Sequence, residues 1–113
     1  MFIKQNFIKQ QADLFKALGH PSRLLMVHAL SDGDKCVCEL QTLVGDTMPT
    51  ISRHLSILKN HGVVSSQKRG LNVYYTLEMT CLKSLLSCTT TFIERQDGKT
   101  NTEGQACYCS STK

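Results

Sequence analysis

The feature that most restricts this chain is a segment with both ends marked, Thr47-Met48-Pro49-Thr50-Ile51-Ser52-Arg53-His54-Leu55-Ser56-Ile57-Leu58-Lys59-Asn60-His61-Gly62. Thr47 is a residue type that caps free amide groups, and Pro49 fits a first helical turn, where no intrahelical donor is needed. Gly62 supplies the left-handed residue at which helices commonly stop. Between these marks Ile51, Leu55 and Leu58 recur at helical spacing and form a narrow apolar stripe. Thr50, Ser52, Arg53, His54, Ser56, Lys59 and Asn60 fill the remaining circumference with donors and cations and no carboxylate. Such a helix suits a phosphate-lined groove, although the same residues would also serve an ordinary solvated face. Its neighbours decide between the two.

Upstream, Phe7, Ile8, Gln11, Leu14, Phe15 and Leu18 fall at helical spacing, predicting a first helix that ends near Gly19. Pro21 opens a second helix whose Leu24-Leu25-Met26-Val27-His28-Ala29-Leu30 run is apolar nearly all round, as in a central helix. Ser31-Asp32-Gly33-Asp34 is a turn, and a short helix from Val37 to Val44, with Leu40, Leu43 and Val44 inward, precedes the break at Gly45-Asp46. Two short helices joined by a Gly-containing turn, the second polar and basic, make a helix-turn-helix. After Gly62 the period changes. Val63 to Lys68 and Leu71 to Leu77 flank Arg69-Gly70 and predict a β-hairpin with a basic tip. A last helix is expected from Met79 to about Glu94, with Leu82, Leu85, Leu86, Phe92 and Ile93 on its apolar side.

The predicted fold is thus mainly α with a β-hairpin, a winged helix-turn-helix dimerised through its first and last helices. The expected division is 1–95 for DNA binding and dimerisation and 96–113 for a polar, cysteine-containing tail. With 113 residues the chain makes one modest core and no roomy enzyme cleft. Its net charge of +4 permits an anionic partner. Placement says more than the sum: from Thr47 to Leu77 there are Arg53, Lys59, Lys68 and Arg69 and no acid. We therefore assign Thr47, Thr50, Ser52, Arg53 and His54 to the groove and its nearby phosphates, and Lys59, Lys68 and Arg69 to phosphate. His20, His28 and His61 read as structural: cap-adjacent, core and helix-terminal. No catalytic set points to an enzyme.

The N-terminal residues lack the apolar run of a signal peptide, and no segment approaches the roughly 20 apolar residues of a membrane span. A cytoplasmic protein is expected, in which six cysteines signify metal or redox chemistry rather than a disulfide framework. Cys81 and Cys88 share a face of the last helix and read as small buried apolar residues. Cys36-Val37-Cys38 opens a helix, where anions are favoured, and the thiolate is the form that binds soft metals. Cys107-Tyr108-Cys109 has no core to pack into and reads as a pair able to join another site. Thiolate sets select soft ions over Mg²⁺ or Ca²⁺.

Lys16-Ala17-Leu18-Gly19-His20-Pro21-Ser22-Arg23-Leu24, Cys36-Val37-Cys38-Glu39-Leu40, Pro49 to Leu55 and Val73-Tyr74-Tyr75 together resemble the ArsR/SmtB family of metal-responsive winged-helix repressors. The likeness covers about residues 10 to 95. It implies a homodimer that represses its own operon on double-stranded operator DNA and leaves when an ion binds. The Cys36–Leu40 segment looks like that family's metal-binding box, in the form used by arsenite/antimonite and cadmium/lead sensors. Two departures bear on the ion. Arsenical sensors often carry a third cysteine where this chain has Gln41, and cadmium/lead sensors add cysteines from an N-terminal arm, of which Met1 to Phe15 contain none. Trivalent arsenic prefers three thiolates, so the expected set is Cys36 and Cys38 completed by Cys107 or Cys109, with Cys81 or Cys88 plus the tail pair as the alternative. Other readings are a cadmium- or lead-responsive repressor, a thiol-redox (persulfide) sensor of the same fold, and a cytosolic thiol metal carrier.

Overall fold

A computed structural model describes residues 5–98. The order is α1 (Gln5–Leu18), α2 (Pro21–Ser31), β1 (Lys35–Cys36), α3 (Val37–Val44), α4 (Met48–Asn60), β2 (Val64–Arg69), β3 (Asn72–Leu77) and α5 (Leu82–Gly98). The described chain divides into two compact units, one through Thr80 and one from Cys81 that consists of α5. No helix among the described residues is long and apolar enough to cross a membrane.

In the first unit the core is built from Met26, Val27 and Leu30 of α2, Leu40 of α3, and Ile51, Leu55 and Leu58 of α4, closed by Val63, Val64 and Leu77. Transfer of each large side chain from water supplies about 1.5–3 kcal/mol, enough to fix three short helices that would not persist alone. The turn between α3 and α4 depends on Gly45, whose φ of +86° caps α3 while its N–H donates to the Gln41 carbonyl at 2.8 Å. Gly62, at φ +77°, ends the following helix as expected and turns the chain into the hairpin.

The hairpin is antiparallel, pairing Val64 with Leu77 at its base and Arg69 with Asn72 at its tip. A third strand completes the sheet in the order β1-β3-β2, with Lys35 opposite Tyr75 and Cys36 opposite Tyr74. This two-residue strand was not expected. It has no periodicity to read, and only its partner in the wing makes it a strand.

Several expectations need correction. His28 is exposed rather than core, because α2 buries one face only; Leu25 is 39 % exposed. Leu43, expected inward, is 47 % exposed. Cys81 and Cys88 are exposed, not buried. The last helix starts at Leu82 and runs to Gly98, beyond the expected Glu94. In α1 only Ala17 and Leu18 are buried, and Phe7, Ile8 and Phe15 stand about half exposed.

Candidate nucleic-acid interface and cysteine site

The opening turn of α4 follows from its sequence. Thr47 takes the N-cap position with extended backbone, and Pro49 sits within the first turn. The Thr47 side chain differs from expectation: its Oγ1 lies 3.0 Å from Thr50 Oγ1 and makes no hydrogen bond to a helix amide. Ser52 and Arg53 are exposed and Thr50 is half-buried. An open depression of about 490 Å³ at this end is lined by His20, Asp46, Pro49, Thr50, Arg53 and His54. The first turn thus offers an accessible guanidinium and hydroxyls beside free helix amides, the chemistry that phosphates and base edges require.

His54 stands apart from the other candidate groove residues. It is 7 % exposed, and its Nδ1 accepts from Arg23 Nη1 at 3.0 Å. An arginine only donates, so the proton of the neutral imidazole is on Nε2. The ring lies 4.5 Å from that of His20, whose Nδ1 accepts from the Ser22 N–H and caps α2. Arg23 Nε donates in turn to the Ala17 carbonyl at the end of α1. The cluster ties α1, α2 and α4 together. Burial, followed by the nearness of His20 and Arg23, holds the His54 pKa below its ordinary value. This arrangement assigns His54 to holding the helix rather than to touching a base. Its signal was present in the sequence, since Ile51, His54, Leu55 and Leu58 complete the i, i+3, i+4, i+7 pattern of a buried face.

The cations at the end of α4 and in the wing are partly engaged. Lys59 Nζ donates to Ser66 Oγ at 2.7 Å, linking the end of α4 to β2. Lys68 is exposed near the tip. Arg69 Nη2 donates to Asp34 Oδ2 at 2.7 Å, and its guanidinium lies 4.7 Å from the Tyr74 ring centroid.

Cys36 is the N-cap of α3 and half-buried, while Cys38, two residues on, is exposed. The Cys36 N–H donates to Glu39 Oε1 at 2.9 Å, and that bond holds the Glu39 carboxyl below the usual range. Both thiols therefore stand at the junction of β1 and α3. One side of the junction, β1, is paired to the wing, and the other, α3, packs on α4. Among the described residues no three His, Cys, Asp or Glu side chains gather as a metal site. Cys107 and Cys109 lie outside the described residues.

The profile of the bacterial regulatory proteins of the arsR family matches residues 20–66, from the His20 cap through α4 into β2. A cadmium resistance regulatory protein CadC homolog of Staphylococcus aureus is 35 % identical over 88 residues, 74 % of this chain and 73 % of the relative. The chain belongs to the ArsR family. The arsenical resistance operon repressor of Escherichia coli is 43 % identical over 65 residues, 57 % of this chain and 56 % of that repressor. The crystal structure of the AntR antimony-specific transcriptional repressor superposes with a TM-score of 0.74 at 26 % identity, covering 88 % of this chain and 90 % of its own. As a member of the ArsR family the chain is a winged helix-turn-helix, DNA-binding transcriptional regulator, with α4 as the second helix of the motif and β2–β3 as the wing.

Proposed function

We propose that this ArsR-family protein is a homodimeric repressor that binds a palindromic operator and is released by trivalent arsenic or antimony bound to cysteine thiolates. The observation that carries the reading is the position of the Cys36–Cys38 pair. These accessible thiols flank a junction whose strand pairs with β3 and whose helix packs against α4, so a ligand drawing the sulfurs together strains both DNA-contacting elements. Two thiolates begin a soft-metal site, and a trivalent metalloid takes a third; Cys107 or Cys109 supplies it in this reading. Residues 1–95 bind DNA and dimerise, and 96–113 bring the additional thiols. The exposed apolar residues Phe7, Ile8 and Phe15 of α1 and Phe92 and Ile93 of α5 serve as the dimer surface. In the dimer two copies of Thr50, Ser52 and Arg53 address major grooves about 34 Å apart, while Lys68 meets flanking phosphate. A coupling free energy of about 1–3 kcal/mol would loosen the operator about 5–150-fold. Cadmium or lead is a second reading, supported by the likeness to the cadmium resistance regulator.

The test combines DNA binding with truncation. Binding to an operator selected from random duplexes should weaken steeply between about 50 and 200 mM salt, whereas a thiol carrier would show no such dependence. Ending the chain at Gly98 should weaken arsenite binding while leaving operator affinity unchanged. Undiminished arsenite affinity would overturn the tail assignment.

A further inference from the structure

The wing cation nearest the tip is turned back toward the cysteine strand. Arg69 stands opposite Asn72 at the last register position before the turn. Its Nη2 donates to Asp34 Oδ2 at 2.7 Å and approaches Gln67 Oε1 at 3.4 Å, and its guanidinium lies over the Tyr74 ring. Asp34 in turn directly precedes β1, where Lys35 pairs with Tyr75 and Cys36 with Tyr74. The ion pair therefore closes a small ring. It runs from Asp34 through β1 into β3, across the hairpin to Arg69, and back to Asp34.

A carboxylate and a DNA phosphate each carry a single negative charge, and both accept from a guanidinium in the same fork geometry. The phosphate can gain Arg69 only as Asp34 loses it, and an Asp34 left unpaired beside the DNA backbone would be repelled. We infer that Asp34 is an internal competitor for operator phosphate at Arg69, an autoinhibitory contact that ties the wing tip to the strand carrying Cys36. The consequence is that Lys68 and Arg69, adjacent in sequence, are unequal in function. Lys68 is available to phosphate, and Arg69 contributes little net attraction while Asp34 is present. The inference rests on the wing being a phosphate contact, as the proposed function holds.

The contact is sequence-independent, so the probe is a mixed-sequence DNA duplex, titrated by fluorescence anisotropy with the full-length wild type, Asp34→Asn, Arg69→Gln and the double variant. Asp34→Asn is isosteric at a partly exposed site, and thermal melting of each variant checks folding. From the strength of exposed ion pairs, one per protomer, Asp34→Asn should bind about three- to tenfold more tightly. Two freed arginines per dimer should steepen the dependence of log affinity on log salt by about 1.8. Arg69→Gln alone, which leaves Asp34 unpaired beside the backbone, should weaken binding by about three- to tenfold, and the double variant should lose the gain and return to wild-type affinity. A gain that persists in the double variant would reflect removal of a negative charge alone and overturn the inference. So would an Asp34→Asn variant that binds no better. Failure of the wild type to bind duplex at all would overturn the DNA-binding reading instead.

Discussion

Replacing His54 and replacing its neighbour Arg53 should give opposite phenotypes. His54→Ala removes a ring that is 7 % exposed, ends the 4.5 Å contact with His20 and leaves Arg23 Nη1 without its acceptor. An unsatisfied, partly buried donor costs about 1–3 kcal/mol, and the space left by the ring adds to it, so a loss near 2 kcal/mol is expected. For a domain of this size each kcal/mol moves Tm by about 4–8 °C, placing the variant about 8–16 °C below wild type. Arg53→Ala, at an exposed position, should hold stability within about 0.5 kcal/mol. Its cost appears on DNA, where one lost bidentate contact is worth about 1–3 kcal/mol and the dimer loses two, weakening the operator complex at least about 30-fold. Thermal melting and operator titration of both variants separate the roles. If His54→Ala melts with the wild type yet loses the operator as Arg53→Ala does, His54 reaches the groove and the burial argument is refuted.

Two further outcomes follow from the same geometry. The His54 pKa is held below its ordinary value near 6.5, by burial first and by His20 and Arg23 next, so below that pH the unfolded chain binds the proton more readily than the folded one. The contribution is therefore complete above about pH 6.5 and declines as pH falls below it, until the folded-state pKa is also passed; melts between pH 7.5 and 5.5 should drop for wild type and flatten for His54→Gln. Gly45→Ala should lower stability by about 1–2 kcal/mol from backbone strain alone, since an added Cβ at this φ of +86° meets nothing within 4 Å; an unchanged denaturation midpoint would show that the α3–α4 turn does not need the left-handed residue.

What could be read from sequence was whatever is local. Val37–Val44 was placed at its observed ends because a turn and Gly45 bound it, and α4 was bounded by Thr47 and Gly62 in the same way. Relations across the fold were not legible. β1 exists through Tyr74 and Tyr75, almost 40 positions downstream, and Asp34 meets Arg69 across a comparable separation. The window from Thr47 to Leu77 contains no acid in sequence, yet in space Asp34 and Asp46 return to its margins. A stripe read as hydrocarbon only omits His54; a polar ring takes an inward position when an arginine from another helix satisfies it. The exposed cysteines of α5 show the converse, that helical periodicity identifies a common face and not whether that face is covered.

In the proposed switch, thiolates at Cys36 and Cys38 govern whether α4 and the wing stay on DNA. The most direct measurement is an arsenite titration of the operator-bound protein, run beside cadmium and zinc, with wild type, Cys36→Ser and Cys38→Ser. Wild type should be released by arsenite at near-stoichiometric ratios and respond little to zinc, and both serine variants should lose release with operator affinity unchanged. Release that survives in the serine variants, or an operator complex indifferent to every thiophilic ion, would contradict the switch.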